Sequence, residues 1–239
     1  MKLTIVVPVY NEEAIIGETL GTLSMVLSKL PTEVDWEIVV ADNGSTDQTK
    51  EKVIEANLEK VSVMTISEKG KGVGIRSVAL LSNSDFFGFI DADLSADPET
   101  ILPIFQILHA GEHDIVIGSR LMDKSQTHRG FFRTLTSEFF NFLQKIIIKL
   151  KIKDTQCGLK IMNRKGLEVF KRTKENSWFF DMEFLALANK DNLRILELPV
   201  AWEEFRYIDR KTKLSVLRDG FSAILAMFRV RSRLNKIKS

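Results

Sequence analysis

Two carboxylates stand one residue apart in the segment Asp91-Ala92-Asp93, directly after an apolar run at residues 86–90. Like charges this close raise each other's pKa unless a cation lies between them. Hard divalent cations such as Mg²⁺ and Mn²⁺ bind carboxylate oxygens together with phosphate oxygens. The segment therefore indicates a Mg²⁺ or Mn²⁺ site. Taken alone, it is also compatible with a solvated loop that caps the next helix.

Two more polar clusters follow apolar runs nearer the start of the chain. Pro8-Val9-Tyr10-Asn11-Glu12 ends the run at 3–9, and Asp42-Asn43-Gly44-Ser45 follows the run at 36–41. In sheets built from parallel strands, ligands bind at the carboxyl ends of the strands. We therefore expect these two clusters and Asp91-Ala92-Asp93 to lie on one rim of a sheet.

The elements that must position these clusters alternate between strands and helices over the first half of the chain. Runs of β-branched residues predict buried strands, and helical periodicity separates them. We predict strands at 3–9, 36–41, 61–66, 86–90 and 114–118, with Asn11 capping the first helix and Ser45 or Thr46 the second. Such βα repeats predict an α/β fold, in which a mostly parallel sheet is flanked by helices on both faces.

The composition excludes several classes of protein. The 239 residues include a single cysteine, Cys157, so no disulfide can form within the chain and a reducing compartment is expected. A formal net charge of +2 indicates no particular partner, and we expect no nucleic-acid ligand. We also expect no signal peptide, because Pro8 cuts the first apolar run and no cleavage site of small residues follows, and no membrane-spanning helix, because no apolar stretch is long enough.

The three polar clusters together resemble the family 2 glycosyltransferases. The resemblance implies a GT-A fold, which is Rossmann-like. It implies that a nucleotide sugar contacts residues at all three strand ends: Pro8, Tyr10, Glu12, Asp42, Asp91, Ala92 and Asp93. Asp42 matches the acid that reads the nucleobase, and a carboxylate suits this because it only accepts hydrogen bonds. Asp91 and Asp93 match the acids near the ribose and the metal.

Segments of the second half are similar to the subfamily that glycosylates polyprenyl phosphates, which includes the dolichyl-phosphate mannose and glucose synthases. They are Ile117-Gly118-Ser119-Arg120 and the seven residues at 154–160. The segments at 178–183 and 201–204 resemble the glucose enzymes most. The resemblance implies inverting transfer of a hexose from GDP-mannose or UDP-glucose to a polyprenyl phosphate.

Two positions near the expected nucleotide site need separate interpretation. The family usually has Gln where this chain has Ser95, so the metal ligands would be Asp93 and the shorter Ser95 oxygen. Gly70-Lys71-Gly72-Val73-Gly74 reads as a helix start near the nucleotide sugar, with Lys71 as a contact. The alternative for this segment is a flexible turn with a solvated lysine.

Basic residues are the candidates for holding phosphate groups. Arg120 follows a strand, and Arg133 lies one helical turn before Ser137, so the last two share a helix face. The resembling enzymes hold the acceptor phosphate with such residues. The planar guanidinium of arginine can donate hydrogen bonds to two phosphate oxygens at once. Arg206 and Lys213 belong to a basic loop that could close over the diphosphate.

Asp181 completes the predicted catalytic set with Asp91, Asp93 and Arg120. A phosphate oxygen is already anionic near neutral pH, so the acceptor needs no strong base, and positioning and electrostatics should dominate. Asp181 would then order arginine or lysine side chains around the acceptor rather than take a proton.

Two amphipathic helices are predicted in the second half, at 131–152 and 214–236. Each has an apolar stripe with adjoining cations, which suits peripheral binding to an anionic membrane surface, although such stripes more often pack on a protein core. We expect a glycosyltransferase domain at 1–213 and a basic helix at 214–239 in one unit. The expected location is the cytoplasmic face of a membrane.

Other functions remain open at this level. A family 2 enzyme could instead extend a cell-surface glycan, although the segment at 154–160 argues against it. A non-catalytic relative could bind only nucleotide sugar or membrane, but the presence of Asp42, Asp91, Asp93 and Arg120 disfavours this. A nucleotidyltransferase should carry a Gly-rich, Arg-containing loop after its first strand, which Pro8-Val9-Tyr10-Asn11-Glu12 is not.

Overall fold

The computed structural model describes residues 1–122, 143–144, 146–148, 150–203 and 216–236, with side chains in the last range from residue 224 onward. The described chain contains one seven-stranded sheet in the order β3-β2-β1-β4-β6-β5-β7. Its strands are β1 (Lys2–Val9), β2 (Asp35–Asp42), β3 (Val61–Thr65), β4 (Phe86–Phe89), β5 (Ile115–Ser119), β6 (Lys160–Asn163) and β7 (Ile195–Pro199). Only β6 runs antiparallel to its neighbours, so the prediction of a mostly parallel sheet is confirmed.

Helices connect the strands and cover both faces of the sheet. They are α1 (Ile16–Leu27), α2 (Thr49–Glu55), α3 (Lys71–Leu81), α4 (Ile101–His109), α5 (Arg164–Lys171), α6 (Phe180–Lys190) and α7 (Val216–Lys236), with a 3-10 turn at Pro98–Thr100 before α4. Residues along β1 alternate between the two cores, as the pleat of a strand requires. Leu3, Ile5 and Val7 pack with α1 and α4, whereas Val6 packs with α3, α5 and α6.

The predicted capping residues were wrong. Asn11 lies outside α1, with a positive φ of 54°, and its side-chain oxygen accepts the Thr46 backbone N–H at 2.8 Å. At α2 the cap-like bond comes from Asp47, whose carboxylate accepts the Thr49 N–H at 3.0 Å. The two polar clusters therefore bind each other rather than their own helices, which fixes the loop after β1 against the loop after β2.

β6 and α5 were missed by the sequence patterns. β6 begins at Lys160, a residue that reads as part of a polar loop, and it is only four residues long. It nevertheless lies between β4 and β5, with Lys160 opposite Phe89 on one side and Ile117 on the other. Because β6 is antiparallel, its first residue lies near the carboxyl ends of its two parallel neighbours.

Candidate active site

The three polar clusters lie side by side at the carboxyl ends of β2, β1 and β4. β1 pairs in parallel with β2 on one side and β4 on the other, so all three strands end at the same rim. The Asn11 backbone N–H donates to the Ser45 hydroxyl at 3.0 Å, and the Glu12 N–H donates to the Thr49 hydroxyl at 2.8 Å. The expected common rim is therefore present.

The first two clusters differ in how open they are. Asp42 is buried, and its Oδ1 accepts the Ser45 backbone N–H at 2.9 Å. Glu12 is also buried, whereas Tyr10 is exposed and its ring lies under the Lys69 ammonium, 5.7 Å from the ring centroid. Tyr10 thus offers an aromatic surface at the rim, and Asp42 offers a buried carboxylate at the end of β2.

Asp91 forms an ion pair with Lys71, the first residue of α3, with Nζ and Oδ1 2.5 Å apart. Burial raises the pKa of Asp91. The positive charges of Lys71, Lys160 and Arg120 lower it by more, so the pKa lies below its ordinary value. Gly158 lies directly against this carboxylate, because a Cβ at that position would stand 2.2 Å from Asp91 Oδ2. The segment at 154–160 therefore forms a wall that sets the orientation of Asp91.

Asp93 follows in a tight turn and is partly exposed. Its carboxylate accepts the Ser95 backbone N–H at 3.1 Å, and Leu94 between them has a positive φ of 46°. Ser95 is buried, and its carbonyl accepts the Glu203 N–H at 2.9 Å. The turn thus holds the Asp93 carboxylate at the rim with part of its surface open.

These residues fit a divalent cation that is shared with a ligand. The described residues hold no group of three or more His, Cys, Asp or Glu side chains suited to a metal. Mg²⁺ in proteins is often held by one or two carboxylates together with substrate phosphates, and the Asp93 turn supplies such a carboxylate. Asp91 is already neutralised by Lys71, so Asp93 is the main candidate ligand of the pair.

Arg120 follows β5 and is held in place by Asp154. Its Nε and Nη2 donate to the two carboxylate oxygens at 2.7 and 2.8 Å, and its backbone N–H donates at 2.8 Å. The guanidinium stacks over Trp202 at 4.7 Å from the ring centroid, and Glu197 accepts the Asp154 N–H at 2.9 Å. Burial lowers the pKa of Arg120, but Asp154 raises it by more, so the arginine stays charged.

Asp181 lies in the first turn of α6 and is buried beside Lys160, with the ammonium nitrogen 2.7 Å from Oδ1. Burial raises the pKa of Asp181, against the opposite effects of Lys160 and Lys71. The structure therefore brings Asp91, Asp181 and two lysines into one network of charges, of which Asp181 and Lys160 are buried. Lys160 and Trp202 stand in the segments that carried the family resemblance, but their types and spacing did not reveal which residues they contact.

Four predicted residues lie outside the described residues: Arg133, Ser137, Arg206 and Lys213. Cys157 is buried, and burial together with Asp154 raises the pKa of its thiol to about 11, so it is not a nucleophile at neutral pH. The described part of the site consequently contains the acids at the strand ends, together with Lys71 and Arg120.

The sequence profile of glycosyl transferase family 2 matches residues 4–170, which include every strand end described above except that of β7. The chain belongs to glycosyl transferase family 2. The family predicted from the three polar clusters is thereby confirmed.

Curated relatives of this family 2 chain include several dolichyl-phosphate beta-glucosyltransferases. It is 32% identical to the dolichyl-phosphate beta-glucosyltransferase of Homo sapiens and 30% identical to that of Saccharomyces cerevisiae, covering 85% and 84% of this chain and 68% and 67% of theirs. It is 28% identical to glycosyltransferase AglD of Haloferax volcanii, over 92% of this chain. The chain spans about two thirds of the glucosyltransferases' length and 35% of AglD.

Solved structures confirm the GT-A fold of this family 2 chain. Glucosyl-3-phosphoglycerate synthase from Mycobacterium tuberculosis, in complex with Mn²⁺, UDP and glucosyl-3-phosphoglycerate, superposes with a TM-score of 0.69 at 18% identity. The complex of that enzyme with Mg²⁺ and UDP superposes with a TM-score of 0.71 at 17% identity. Both comparisons cover 96% of this chain and 79% of the other, and at this identity they show the fold alone.

The C-terminal helix α7 packs on α6 through one face and leaves another face open. Ala226, Met227 and Val230 are buried against α6, whereas Leu225 and Phe228 are exposed. Two of its arginines pair with buried acids: Arg229 with Glu175 at 3.1 Å, and Arg233 with Glu183 at 2.8 Å. Among the residues that the structure describes, none of the helices combines the length and apolar content that crossing a bilayer requires.

Proposed function

We propose that this chain transfers glucose from UDP-glucose to a polyprenyl phosphate, with inversion, at the cytoplasmic face of a membrane. The observation that carries the proposal is the direct contact between two halves of one rim. The acidic half contains Asp91 and Asp93, and the basic half contains Arg120 on its Asp154 support. Arg120 lowers the pKa of Asp91, and Asp91 raises the pKa of Arg120. Gly158, from the segment after Asp154, lies directly against Asp91.

The acidic half suits a nucleotide sugar. Tyr10 offers a ring face at the rim, and Asp42 lies at the adjacent strand end with a carboxylate that can accept from a base N–H. Lys71 lies at the amino end of α3, where backbone N–H groups and the helix dipole favour an anion. When bound, Mg²⁺ or Mn²⁺ would neutralise the departing diphosphate, with Asp93 and the predicted ligand Ser95 holding it.

The basic half suits the acceptor phosphate. Asp154 engages Nε and Nη2 of Arg120, and no bond from Nη1 to another described residue is found, so Nη1 can donate to a ligand. The fixed guanidinium binds an anion without first being ordered, which lowers the entropic cost of binding. Arg133 and Ser137 are proposed as further acceptor contacts, and Arg206 and Lys213 as contacts to the diphosphate.

The reaction follows from these two halves. A phosphate oxygen of the lipid attacks the anomeric carbon of glucose, a new C–O bond forms, and the bond to the diphosphate oxygen breaks with UDP leaving. The nucleophile is already an anion, so no residue needs to remove its proton. Arg120 and Lys71, the latter held by Asp91, would act by positioning the two phosphates at opposite faces of the sugar.

Glucose and a polyprenyl phosphate are proposed because the glucosyltransferases named above are at least 30% identical over more than four fifths of this chain. The exposed Leu225 and Phe228, with basic residues on the same helix, support peripheral binding to a membrane that carries the lipid acceptor. The packing of α7 on α6 supports our proposal that residues 214–239 belong to the same unit as residues 1–213.

The test is a donor panel with the full chain. Radiolabelled UDP-glucose, GDP-mannose and other nucleotide sugars are incubated with Mg²⁺ or Mn²⁺ and with liposomes containing polyprenyl phosphate, and the lipids are then extracted into organic solvent. We expect label from UDP-glucose in the organic phase, lost on mild acid treatment and on chelation of the metal. Label from another donor would correct the sugar, and label confined to a water-soluble or polymeric product would contradict the lipid acceptor.

Membrane attachment is tested separately by flotation with anionic liposomes. Replacing Leu225 and Phe228 with Ser should shift the protein to the unbound fraction, because the exposed parts of these side chains, 45% and 57%, would no longer supply apolar surface to the membrane. Leu81→Ser is the matched control, since Leu81 is 74% exposed on α3, and it should float like the wild type. Equal flotation of the double variant and the wild type would contradict the role of α7.

A further inference from the structure

Lys160 is a fully buried lysine that the proposed transfer does not use. As the first residue of β6, it stands beside Phe89 and Ile117 near the carboxyl ends of β4 and β5. Its ammonium donates to the Cys157 carbonyl at 2.5 Å and lies 2.7 Å from Asp181 Oδ1. An ammonium without access to water is costly unless it is paired, so the position of this lysine calls for a functional or structural cause.

The partner of Lys160 stands next to Lys71 as well. α6 begins at Phe180, which packs on the first turn of α3 so tightly that a Cβ at Gly72 would lie 2.7 Å from the Phe180 Cβ. The Lys71 ammonium lies 5.8 Å from the Phe180 ring centroid. Burial lowers the pKa of Lys71, but the neighbouring carboxylates of Asp91 and Asp181 raise it by more.

Asp181 therefore has two cations within electrostatic reach, Lys160 and Lys71. Its Oδ1 is buried and accepts no well-aligned hydrogen bond from any residue in the described ranges, so charge attraction is its main tie to Lys160. If the Lys160 ammonium were removed, the buried carboxylate would lack its counter-ion. Among the described residues, Lys71 would then be the cation in reach that could neutralise Asp181, and a lysine side chain is long and flexible enough to turn toward it.

We propose that Lys160 is a positioning residue for the nucleotide site: by neutralising Asp181, it leaves Lys71 on Asp91, where the Lys71 ammonium can meet the diphosphate. The inference rests on the proposed function, because that function is what places a diphosphate beside Lys71. Lys160 touches neither substrate in this account and acts only through Asp181 and Lys71.

The experiment measures binding of UDP with Mn²⁺ to the full chain by calorimetry, with thermal unfolding to confirm that each variant is folded. Lys160→Met should weaken UDP binding about tenfold or more, as expected when one charge-assisted hydrogen bond is lost. Asp181→Asn removes the competing charge. In that background, adding Lys160→Met should change UDP affinity by no more than about twofold.

A second cycle tests the route through Lys71. Lys71→Met should weaken UDP binding by about as much as Lys160→Met, and the two together should add little to either alone. Unchanged UDP affinity in folded Lys160→Met, or an equal loss in the presence and absence of Asp181, would overturn the inference. Wild-type affinity in Lys71→Met would also overturn it and would leave the proposed transfer standing.

Two further outcomes are decided by the same variants. If Lys160→Met does not fold, the comparison of Asp181→Asn with the double variant decides: equal UDP affinity supports the inference, and an approximately tenfold gap overturns it. If the wild type binds no UDP in the presence of Mn²⁺, the proposed donor fails and the inference fails with it. Failure of the inference alone is recognised by normal UDP binding to the wild type.

Discussion

An Asp–Arg pair closes each end of β5, and the two pairs stand in different surroundings. At the amino end, Asp114 accepts the Arg194 backbone N–H at 2.9 Å and the Arg194 Nε at 3.2 Å. At the carboxyl end, Asp154 accepts the Arg120 Nε at 2.7 Å and Nη2 at 2.8 Å. The Arg194 side chain is 52% exposed, whereas the Arg120 side chain is 11% exposed.

The contrast shows how one pairing chemistry serves two purposes. Asp114 also accepts from the Asn163 amide, so the amino-end pair ties the start of β5 to the end of β6 and the start of β7. The carboxyl-end pair shares its surroundings with Asp91 and Lys160, whose charges act on Asp154 or Arg120. We therefore interpret the amino end as scaffold and the carboxyl end as the place of chemistry, in agreement with the general rule for parallel sheets.

Asp93→Asn should give the largest loss at the carboxyl end. Transfer should fall by at least about 10²-fold while the fold is kept, because one carboxylate ligand of a metal that neutralises the leaving diphosphate is removed. The measurement is transfer of labelled glucose to lipid, beside an unfolding curve. Full activity in this variant, or in the wild type after chelation, would remove the metal from the account.

Gly158→Ala should give the next largest loss, and it tests whether the wall beside Asp91 matters. The added Cβ would stand 2.2 Å from Asp91 Oδ2, so the carboxylate must move. A displacement of this size should lower kcat/KM by about tenfold to 10²-fold. Gly21→Ala in α1 is the matched control, because a Cβ there meets nothing within 4 Å. Equal activity of the two variants would show that the wall has no catalytic importance.

Asp114→Asn should give the smallest effect on transfer and a clear effect on stability against acid. Its hydrogen bonds to Arg194 and Asn163 outweigh burial and lower the pKa of Asp114 from 3.8 to about 2. The stabilisation is therefore present above about pH 4 and is lost as the pH falls toward 2. Urea unfolding from pH 7 to pH 2 should show a wild-type advantage that vanishes at the acid end. An advantage that is independent of pH would contradict this assignment.

The sequence predicted the parts of the site that depend on strand order along the chain. Tyr10, Asp42 and Asp91 each follow an apolar run, and parallel strands necessarily place such residues on one rim. Lys71 was predicted as a nucleotide contact because it opens a helix, and the helix begins there. These inferences needed only local patterns and the rule for parallel sheets.

The rest depends on contacts between segments far apart in the chain. Asn11 has the residue type of a helix cap, but its hydrogen-bond partners are Ser45 and Thr46 from the next loop and not the first turn of α1. The role of Lys160 depends on an antiparallel strand inserted between β4 and β5 and on a carboxylate 21 positions later. Neither local periodicity nor capping rules contain such information, so the buried charge network was not predictable from the chain alone.

We propose that the carboxyl end of β5 is catalytic and that its amino end is not. This proposal is tested most directly by measuring kcat/KM for glucose transfer in Asp154→Asn and Asp114→Asn side by side, on material shown to be folded. Asp154→Asn should lose about 10²-fold or more, because Arg120 loses its bidentate support and shifts relative to the acceptor phosphate. Asp114→Asn should stay within about threefold of the wild type, as expected for a change remote from the chemistry. Similar losses in both variants, or full activity of Asp154→Asn, would contradict the account.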